Sequence, residues 1–418
     1  MTKRLCRLYF DGIVEQSVGV TLGTTSPPAP LSPGGDAAAL FALDPDVLHL
    51  NHGSFGAVPR AALAEQARLK DLMEASPVLW FGELPERLLL ARTAVADFLG
   101  VPASRTALVP NASAGITVVL NSLVLPDGAE VVLTDHGYGA VTMAVERAVA
   151  RVGGRVVRVA VPLTADAEET TALVLAAFTE RTAVVVLDAI TSPTARRMPV
   201  EALSAAAAER GVVSVVDAAH APGALASPVE ACDYWVGNLH KYACGPRGTA
   251  ALVVREGLGE ELFPLIDSWG ARESFPLRFD YQGTLDATAW LATPVAVRTI
   301  EEAFGWDAVR AYSAELLDWA GVVVAERVAE LSGWERRAEV GMAVPTMRLV
   351  ELPPSLTVDR ETSDALRDVM AREHRTELAI TSFEGRPYLR LSAHAYTTPE
   401  DVLRFVDAPL AALLGTSR

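Results

Sequence analysis

The sequence is poor in cysteine, and it lacks the short motifs of several common enzyme classes. Its 418 residues include three cysteines, Cys6, Cys232 and Cys244, with no CxxC spacing. This argues against a disulfide framework and a cysteine zinc site, and it favours a reducing cytoplasm as the location. There is no GxGxxG after the first strand and no GxxxxGK(S/T), so neither nicotinamide binding nor a P-loop is supported. There is also no GxSxG and no HExxH, so neither a serine hydrolase nor a zincin site is supported. No metal is predicted.

Positive charge and long apolar runs are also scarce. Lys and Arg number 36 against 52 Asp and Glu, a net charge of −16, which predicts no general affinity for nucleic acid or for anionic membranes. The longest apolar runs, such as 183–187, are too short to span a bilayer. A secretory signal needs an unbroken apolar stretch. The first 20 residues lack one, because they are interrupted by Asp11, Glu15 and Gln16.

Composition and periodicity divide the chain into an arm and two domains. Residues 21–35 are rich in Pro, Gly, Ser and Thr, which predicts that residues 1–40 form a flexible arm; the alternative is that part of it lies over a partner subunit. From 41 to 290, apolar β-branched runs alternate with helical patterns, which indicates a large α/β domain with a mostly parallel sheet. The pattern in residues 291–418 predicts a smaller α+β domain. Residues near 41–60 are candidates to pack against it.

The individual elements of both domains can be predicted from the same patterns. The predicted strands are 130–133, 155–159, 183–187, 212–216, 250–254, 342–350 and 388–392. The predicted helices are 58–74, 84–99, 116–123, 170–178, 200–210, 297–331, 363–373 and 399–414. In sheets of this kind ligands bind at the carboxyl ends of the strands, so the residues that follow the strands are the candidates for chemistry.

An acidic residue ends one of the predicted strands. The run Val213-Ser-Val-Val-Asp217 places a carboxylate at the carboxyl end of an apolar strand, where a charge is costly unless it meets a cation. A protonated pyridine nitrogen would be such a cation. The alternatives are that Asp217 caps the next helix or pairs with an internal arginine.

A lysine follows the next strand. Lys241 lies 24 residues after Asp217, in Gly237-Asn-Leu-His-Lys241, and the chain contains only two other lysines, Lys3 and Lys70. A desolvated lysine loses its proton more easily and becomes a nucleophile that can form a Schiff base. The alternative is an ordinary lysine in a surface loop.

A turn of small residues precedes the helix predicted at 116–123. Pro110-Asn-Ala-Ser-Ala-Gly115 would leave free backbone N–H groups at a helix N-terminus, where a phosphate can approach. The alternative is an ordinary N-cap by Ser113. Together, the lysine, the acid and the helix start describe a pyridoxal phosphate site.

These residues resemble the class V aminotransferase family of fold-type I pyridoxal phosphate enzymes, and within it the isopenicillin N epimerase-like branch. The resemblance covers about residues 45–410 and implies a fold with a seven-stranded sheet, and a homodimer with its sites at the interface. The motifs that carry it are Leu50-Asn-His-Gly-Ser-Phe-Gly56, Ile190-Thr-Ser-Pro193, Asp217-Ala-Ala-His220, Gly237-Asn-Leu-His-Lys241, Gln282-Gly-Thr284 and Arg390-Leu-Ser-Ala-His394.

The resemblance also implies a role for each matching position. Lys241 would hold the cofactor as an imine and carry the substrate's Cα proton, and Asp217 would keep the pyridine nitrogen protonated. The other predicted cofactor contacts are Tyr138 on the ring, Ser192 and His220 at the phenolic oxygen, Ala112, Ser113, Asn238 and His240 at the phosphate, and Thr284 at the phosphate of the partner subunit. Arg390 would bind the substrate's α-carboxylate, with Asn51, His52 and Tyr281 as further substrate contacts.

The reaction itself stays open at this level, although an amino acid is the implied substrate. A cysteine desulfurase is disfavoured because residues 376–389 contain no cysteine. Epimerisation needs a second proton donor, for which His52, Tyr281 and His394 are candidates. A C–S β-lyase acting on a cysteine S-conjugate and a decarboxylation-coupled oxidative deaminase, both known from lincosamide pathways, are the alternatives. A non-catalytic scaffold is a remote alternative, because a scaffold would have no use for Lys241, Asp217 and Arg390, which are all present.

Overall fold

The computed structural model describes residues 26–31, 36–356 and 359–415. The strands are β1 (Leu48–His49), β2 (Thr106–Val109), β3 (Glu130–Thr134), β4 (Arg155–Val159), β5 (Thr182–Asp188), β6 (Val213–Asp217), β7 (Tyr234–Asn238), β8 (Ala250–Val254), β9 (Met347–Glu351), β10 (Thr376–Glu377), β11 (Ala379–Phe383) and β12 (Arg386–Ser392). The helices are α1 (His52–Phe55), α2 (Arg60–Ala75), α3 (Pro77–Leu99), α4 (Ala112–Ser122), α5 (Gly139–Ala150), α6 (Ala167–Ala176), α7 (Val200–Ala208), α8 (Thr288–Ala303), α9 (Trp306–Ser332), α10 (Arg360–Glu373), α11 (Pro399–Asp407) and α12 (Pro409–Leu413).

Seven strands form the central sheet, in the order β2-β8-β7-β6-β5-β3-β4. All neighbouring pairs are parallel except those of β8, which runs antiparallel to both β2 and β7. The inner strands are mostly apolar because helices cover both faces of the sheet. The predicted α/β fold with a mostly parallel, seven-stranded sheet is confirmed.

Helices pack on each face of this sheet through separate apolar clusters. α3, α6 and α7 contribute to one cluster, and α4 and α5 to the other. Gly115 lets α4 approach β7 closely, since a Cβ at this position would lie 2.5 Å from Cγ1 of Val236. This contact holds the start of α4 beside the carboxyl end of β7, where the site residues lie.

The C-terminal region has its own sheet and core. β11, β12 and β9 form an antiparallel sheet in that order, and residues of α9 and α11 pack with it. The segment before α1 joins this part of the molecule, because β1 pairs with β10 and Leu50 belongs to the same apolar cluster. This arrangement places Arg390, on β12, beside residues 51–54.

Some predicted boundaries were wrong. The helix predicted over 297–331 is two helices, α8 and α9, which are separated at Gly305 with φ 76°. The helix predicted over 399–414 is also two, because Pro409 begins a new helix after Ala408. α3 begins at Pro77 instead of residue 84, and the strand predicted from 342 begins at Met347.

Most of the predicted N-terminal arm lies outside the described residues, which omit 1–25 and 32–35. Of its described part, Ala37–Leu40 forms a 3₁₀ turn capped by Asp36, and Leu31 packs against apolar core residues. In the part of the chain that the structure describes, every helix is too short or too polar to cross a membrane.

Candidate active site

The loops that follow the central strands enclose a cavity of about 190 Å³ at the carboxyl edge of the sheet. This is the edge at which parallel α/β sheets bind their ligands. Nine of the predicted site residues line it, namely Ala112, Ser113, Tyr138, Ser192, Asp217, His220, Asn238, His240 and Lys241. The other residues of the wall are Ser54, Phe55, Asn111, Asp188, Ile190 and Ala219.

Lys241 reaches this cavity from the turn after β7. Its Nζ lies 2.9 Å from Nε2 of His220, and its backbone oxygen accepts the Nε2–H of His52 at 3.2 Å. Burial and then the positive charge of Arg390 lower the pKa of Lys241 to about 7, although the negative charge of Asp217 acts in the opposite direction. Because a neutral amine is a nucleophile, Lys241 is suited to form a Schiff base near neutral pH.

Asp217 is the last residue of β6 and is 4% exposed. One of its oxygens accepts the N–H of Ala219 at 3.0 Å. Burial raises the pKa of Asp217, while this hydrogen bond and the charge of Lys241 lower it. Within the described residues Asp217 caps no helix and pairs with no arginine, so a protonated ring nitrogen in the cavity would supply the cation that a buried carboxylate needs.

The N-terminus of α4 forms another part of the wall. Asn111 is its N-cap and accepts the N–H of Ala114 at 2.8 Å, so the alternative in which Ser113 caps this helix was wrong. The side-chain oxygen of Asn238 accepts the N–H of Ala112 at 2.8 Å, which ties the end of β7 to the helix start. Ser113 lines the cavity at this positive helix end, where a phosphate would be favoured.

Three ring side chains complete the polar part of the wall. Tyr138 is the N-cap residue of α5 and is 42% exposed. His240 donates Nδ1–H to the backbone oxygen of Thr249 at 2.9 Å, and burial lowers its pKa to about 4. His220 is buried, and its Nε2 also lies 3.0 Å from the backbone oxygen of Gly53. Burial, and then the charge of Lys241, lower the pKa of His220 well below its usual value.

Arg390 lies beside this wall on β12 and is fully enclosed. One of its terminal nitrogens donates to the backbone oxygen of Ser192 at 2.6 Å, and the other donates to Ser54 Oγ at 3.1 Å and Asn51 Oδ1 at 3.3 Å. Ser54 in turn donates to Asn51 at 2.7 Å. None of the carboxylates in the described chain forms an ion pair with this guanidinium. A buried guanidinium with neutral partners can accept an anionic ligand.

Five predicted site residues are not part of the cavity wall: Arg390 and Asn51 contact its residues Ser192 and Ser54, and the other three are His52, Tyr281 and Thr284. His52 is buried below Lys241, and its Nδ1 accepts the hydroxyl proton of Tyr396 at 3.1 Å. Tyr281 packs beside Gly270, and Thr284 is exposed. The predicted roles of these residues in substrate binding and across a dimer interface stay predictions.

His394, the remaining candidate for a second proton donor, belongs to a cluster with His52 and Cys244. Their ligand atoms lie within 4.8 Å of one another. However, the two imidazole rings are stacked, with centroids 4.4 Å apart and planes 14° apart. Because ring lone pairs lie in the ring planes, these nearly parallel rings do not point at a common ion. We therefore assign the cluster to packing beneath Lys241.

The sequence analysis missed Asp188, the last residue of β5 and a part of the cavity wall. Its signal was present, because the apolar run 183–187 leads directly into Asp188 just as residues 213–216 lead into Asp217. Ser54 and Phe55 were quoted within a motif without a role of their own. Ser54 contacts both Asn51 and Arg390, which a sequence pattern does not reveal.

Comparison with known proteins decides the family. The sequence profile of class V aminotransferases matches residues 83–405. The chain belongs to this family. It is 32% identical over 400 residues to isopenicillin N epimerase from Streptomyces clavuligerus, which covers 91% of this chain and 98% of the epimerase. It is also 27% identical over 401 residues to putative L-cysteine desulfhydrase 1 from Oryza sativa subsp. japonica, covering 87% of this chain and 82% of that protein.

Solved structures share the fold of this class V enzyme. The cystine C–S lyase C-DES, in complex with cysteine persulfide, superposes with a TM-score of 0.73 at 17% identity, covering 88% of this chain and 98% of the lyase. Another structure of C-DES has glycine covalently linked to its pyridoxal phosphate cofactor. The fold is therefore that of the fold-type I pyridoxal phosphate enzymes, as predicted.

Pyridoxal phosphate is the cofactor of this enzyme, and the described residues fit it. Among the described residues the buried carboxylate of Asp217 forms no ion pair, the amine of Lys241 has a low pKa, and the start of α4 lines the cavity. These three features match the ring nitrogen, the aldehyde and the phosphate of the cofactor in turn.

Proposed function

We propose that this enzyme acts at Cα and Cβ of an amino-acid substrate, with Arg390 binding the α-carboxylate and Lys241 removing the Cα proton. The observation that carries the proposal is the buried guanidinium of Arg390 beside the cavity that contains Lys241. Its partners Ser192, Ser54 and Asn51 are neutral, so a substrate carboxylate would provide the negative charge that this cation needs.

The residues of the cavity would divide the work of binding and proton transfer. Bound pyridoxal phosphate supplies an electron sink that stabilises negative charge at Cα. Asp217 would pair with the ring nitrogen, and Ser113 and Asn238 would hold the phosphate. Lys241 Nζ would accept the Cα proton, because a pKa near 7 leaves a large fraction of the amine unprotonated at physiological pH. His220, at 2.9 Å, would keep that amine oriented.

Among the reactions that start with this proton transfer, an isopenicillin N epimerase-like activity is our first proposal. The supporting observation is the 32% identity to an isopenicillin N epimerase along nearly the whole of both chains. We also propose that the enzyme acts in secondary metabolism, in antibiotic biosynthesis, and that it is located in the cytoplasm.

A C–S β-lyase acting on a cysteine S-conjugate is the second candidate. His52, His394 and Tyr281, which the sequence offered as second proton donors, lie outside the wall of the cavity. Epimerisation needs a proton donor on each face of the carbanion, whereas β-elimination needs Lys241 and a leaving group on Cβ. This position of the three residues favours elimination. The relatives named as cysteine desulfhydrases point in the same direction.

We further propose a homodimer with the cavity at its interface. Phe55 and Tyr138, two aromatic side chains of the cavity wall, are 63% and 42% exposed, and a second subunit would cover them. A mixture of Lys241→Ala and Thr284→Val chains tests this. If Thr284 reaches the partner's phosphate, mixed dimers regain one site with normal cofactor affinity and activity. A monomer in sedimentation, or no recovery in the mixture, would contradict the proposal.

Deuterium incorporation and product analysis test the reaction. The purified enzyme, loaded with pyridoxal phosphate, is incubated in deuterated water with amino acids of both configurations and with cysteine S-conjugates. Deuterium at Cα with inverted configuration supports the epimerase, and pyruvate with a thiol supports the lyase. Carbon dioxide with an aldehyde would replace both by the decarboxylating deaminase. Lys241→Ala is the control, and exchange at Cα that persists in it would overturn the role of Lys241.

A further inference from the structure

Asp188 and Asp217 form a pair of neighbouring acids at the edge of the sheet. They are register partners at the ends of the parallel strands β5 and β6. Side chains in register on adjacent parallel strands point to the same face, and such strands lie about 4.8 Å apart. Asp188 is 6% exposed and Asp217 is 4% exposed, and both line the cavity that contains Lys241.

The two acids differ in what surrounds them. Asp217 accepts the N–H of Ala219 and is close enough to Lys241 to be affected by its positive charge. The backbone N–H of Tyr138 lowers the pKa of Asp188, whereas burial and the negative charge of Asp217 raise it. Across the residues the structure describes, neither acid has an arginine or lysine in an ion pair. The other titratable side chains of the cavity wall are Tyr138, His220, His240 and Lys241.

We propose that Asp188 and Asp217 share one proton, which resides on Asp188, so that Asp188 is a positioning residue that confines the negative charge of the pair to Asp217. Two carboxylates this close in a buried site cannot both ionise at low cost, and the one with a cation nearby keeps the charge. Lys241, which is partly protonated near pH 7, favours the charge on Asp217 in the cofactor-free enzyme, and the ring nitrogen would favour it once pyridoxal phosphate is bound. The inference rests on the cavity being the pyridoxal phosphate site.

The direction of each pKa agrees with this assignment. Burial and the adjacent charge of Asp217 raise the pKa of Asp188 well above its usual value. Burial also raises that of Asp217, but the Ala219 N–H and the charge of Lys241 lower it again. One negative charge then faces one protonated ring nitrogen, and no second anion is left uncompensated.

Removal of either acid, and of both, tests whether they are coupled. If Asp217 is replaced by Asn, Asp188 can ionise and take over part of its role. We expect Asp188→Asn to weaken cofactor binding by less than about fivefold and Asp217→Asn by about 100-fold. The double variant should be weaker than the product of these effects by a further factor of about 10 or more. The measurement is the dissociation constant for pyridoxal phosphate, followed by absorbance.

An infrared spectrum locates the proton without using the cofactor. At pH 7 the cofactor-free enzyme should show the carbonyl stretch of a protonated carboxylic acid that disappears in Asp188→Asn. Asp233→Asn is a matched control, because Asp233 is also buried but is ion-paired with Arg255 at 2.7 Å. That substitution should remove no such band.

The outcomes separate this inference from the site assignment on which it rests. Purely multiplicative effects of the two substitutions, or no protonated carboxyl band, would overturn the sharing of a proton while leaving the site in place. Asp217→Asn with unchanged cofactor affinity would instead overturn the site itself. Thermal unfolding of each variant shows whether it is folded before either conclusion is drawn.

Discussion

The Nζ of Lys241 lies 2.9 Å from Nε2 of His220. Two cations at this distance would repel strongly inside a protein, so the pair carries at most one positive charge. The pKa values of both groups are lowered, chiefly by burial. The contact therefore places a neutral imidazole beside an amine that loses its proton near pH 7, and the neutral amine is the state that a nucleophilic lysine needs.

The first prediction concerns the ionisation of Lys241 in the cofactor-free enzyme. Its amine should titrate near pH 7. Arg390→Met should move this midpoint upward, because the charge of Arg390 disfavours the protonated amine, and Asp217→Asn should move it downward. Reductive methylation with a carbon-13 label and NMR would measure it, since the chain has only three lysines to assign.

Lys70 provides the internal control in the same spectrum. It is exposed and forms a surface ion pair with Asp286 at 3.3 Å, so neither substitution should move its signal. A Lys241 midpoint near the usual value of lysine, a downward shift in Arg390→Met, or an upward shift in Asp217→Asn would contradict the electrostatic description of the cavity.

The second prediction concerns Arg390 as the carboxylate-binding residue. Arg390→Met removes hydrogen bonds to a charged group, worth about 2–3 kcal/mol, and should raise KM for an amino acid on the order of 100-fold. The affinity for pyridoxal phosphate should change little. Arg386→Met is the control, because Arg386 begins the same strand but is half exposed and lies near Glu351. An unchanged KM in Arg390→Met would place the carboxylate elsewhere.

The third prediction concerns the backbone beneath Lys241. Gly56 has φ 70°, and a Cβ there would lie 2.2 Å from the backbone oxygen of His240 and 2.6 Å from that of Lys241. Gly100 has nearly the same φ, 73°, but its ψ of 31° is left-handed helical and open space surrounds it, whereas the ψ of 177° at Gly56 is a conformation that essentially only glycine adopts. Gly100→Ala should therefore lower the free energy of unfolding by about 1 kcal/mol, and Gly56→Ala by at least about 2 kcal/mol more.

Gly56→Ala should also weaken cofactor binding, because relief of the clash has to move the chain that carries Lys241. Calorimetric unfolding and absorbance titration of the two variants give both quantities. Equal destabilisation of Gly56→Ala and Gly100→Ala would show that the close approach at Gly56 is not a constraint.

Strands and strand ends were the most predictable part of this molecule. The strand predicted over 250–254 matches β8, Asp217 was placed at a strand end from its apolar run, and Lys241 was placed in the turn after the next strand. This works because a strand buried on both faces is mostly apolar, so its end is visible as a charged or amide residue that follows the apolar run. The same rule would have found Asp188.

Helix breaks and side-chain directions were less predictable. Gly305 separates α8 from α9 within one continuous apolar pattern, so periodicity alone merged the two helices. His52 belongs to a motif that includes site residues, yet its ring points to Tyr396 and to the backbone of Lys241. A motif identifies the segment that reaches a site, but not which of its side chains faces the ligand.

The last prediction decides whether His52 supports the backbone of Lys241 or contacts the substrate. If His52 holds the carbonyl of Lys241 through its Nε2–H, His52→Leu should lower kcat about tenfold and the free energy of unfolding by about 1–3 kcal/mol, with little change in KM. His52→Gln should recover part of both losses, since a glutamine amide can also donate. His49→Leu, three residues earlier and next to Glu377, is the control. A rise in KM with normal stability would instead make His52 the substrate contact that its motif predicts.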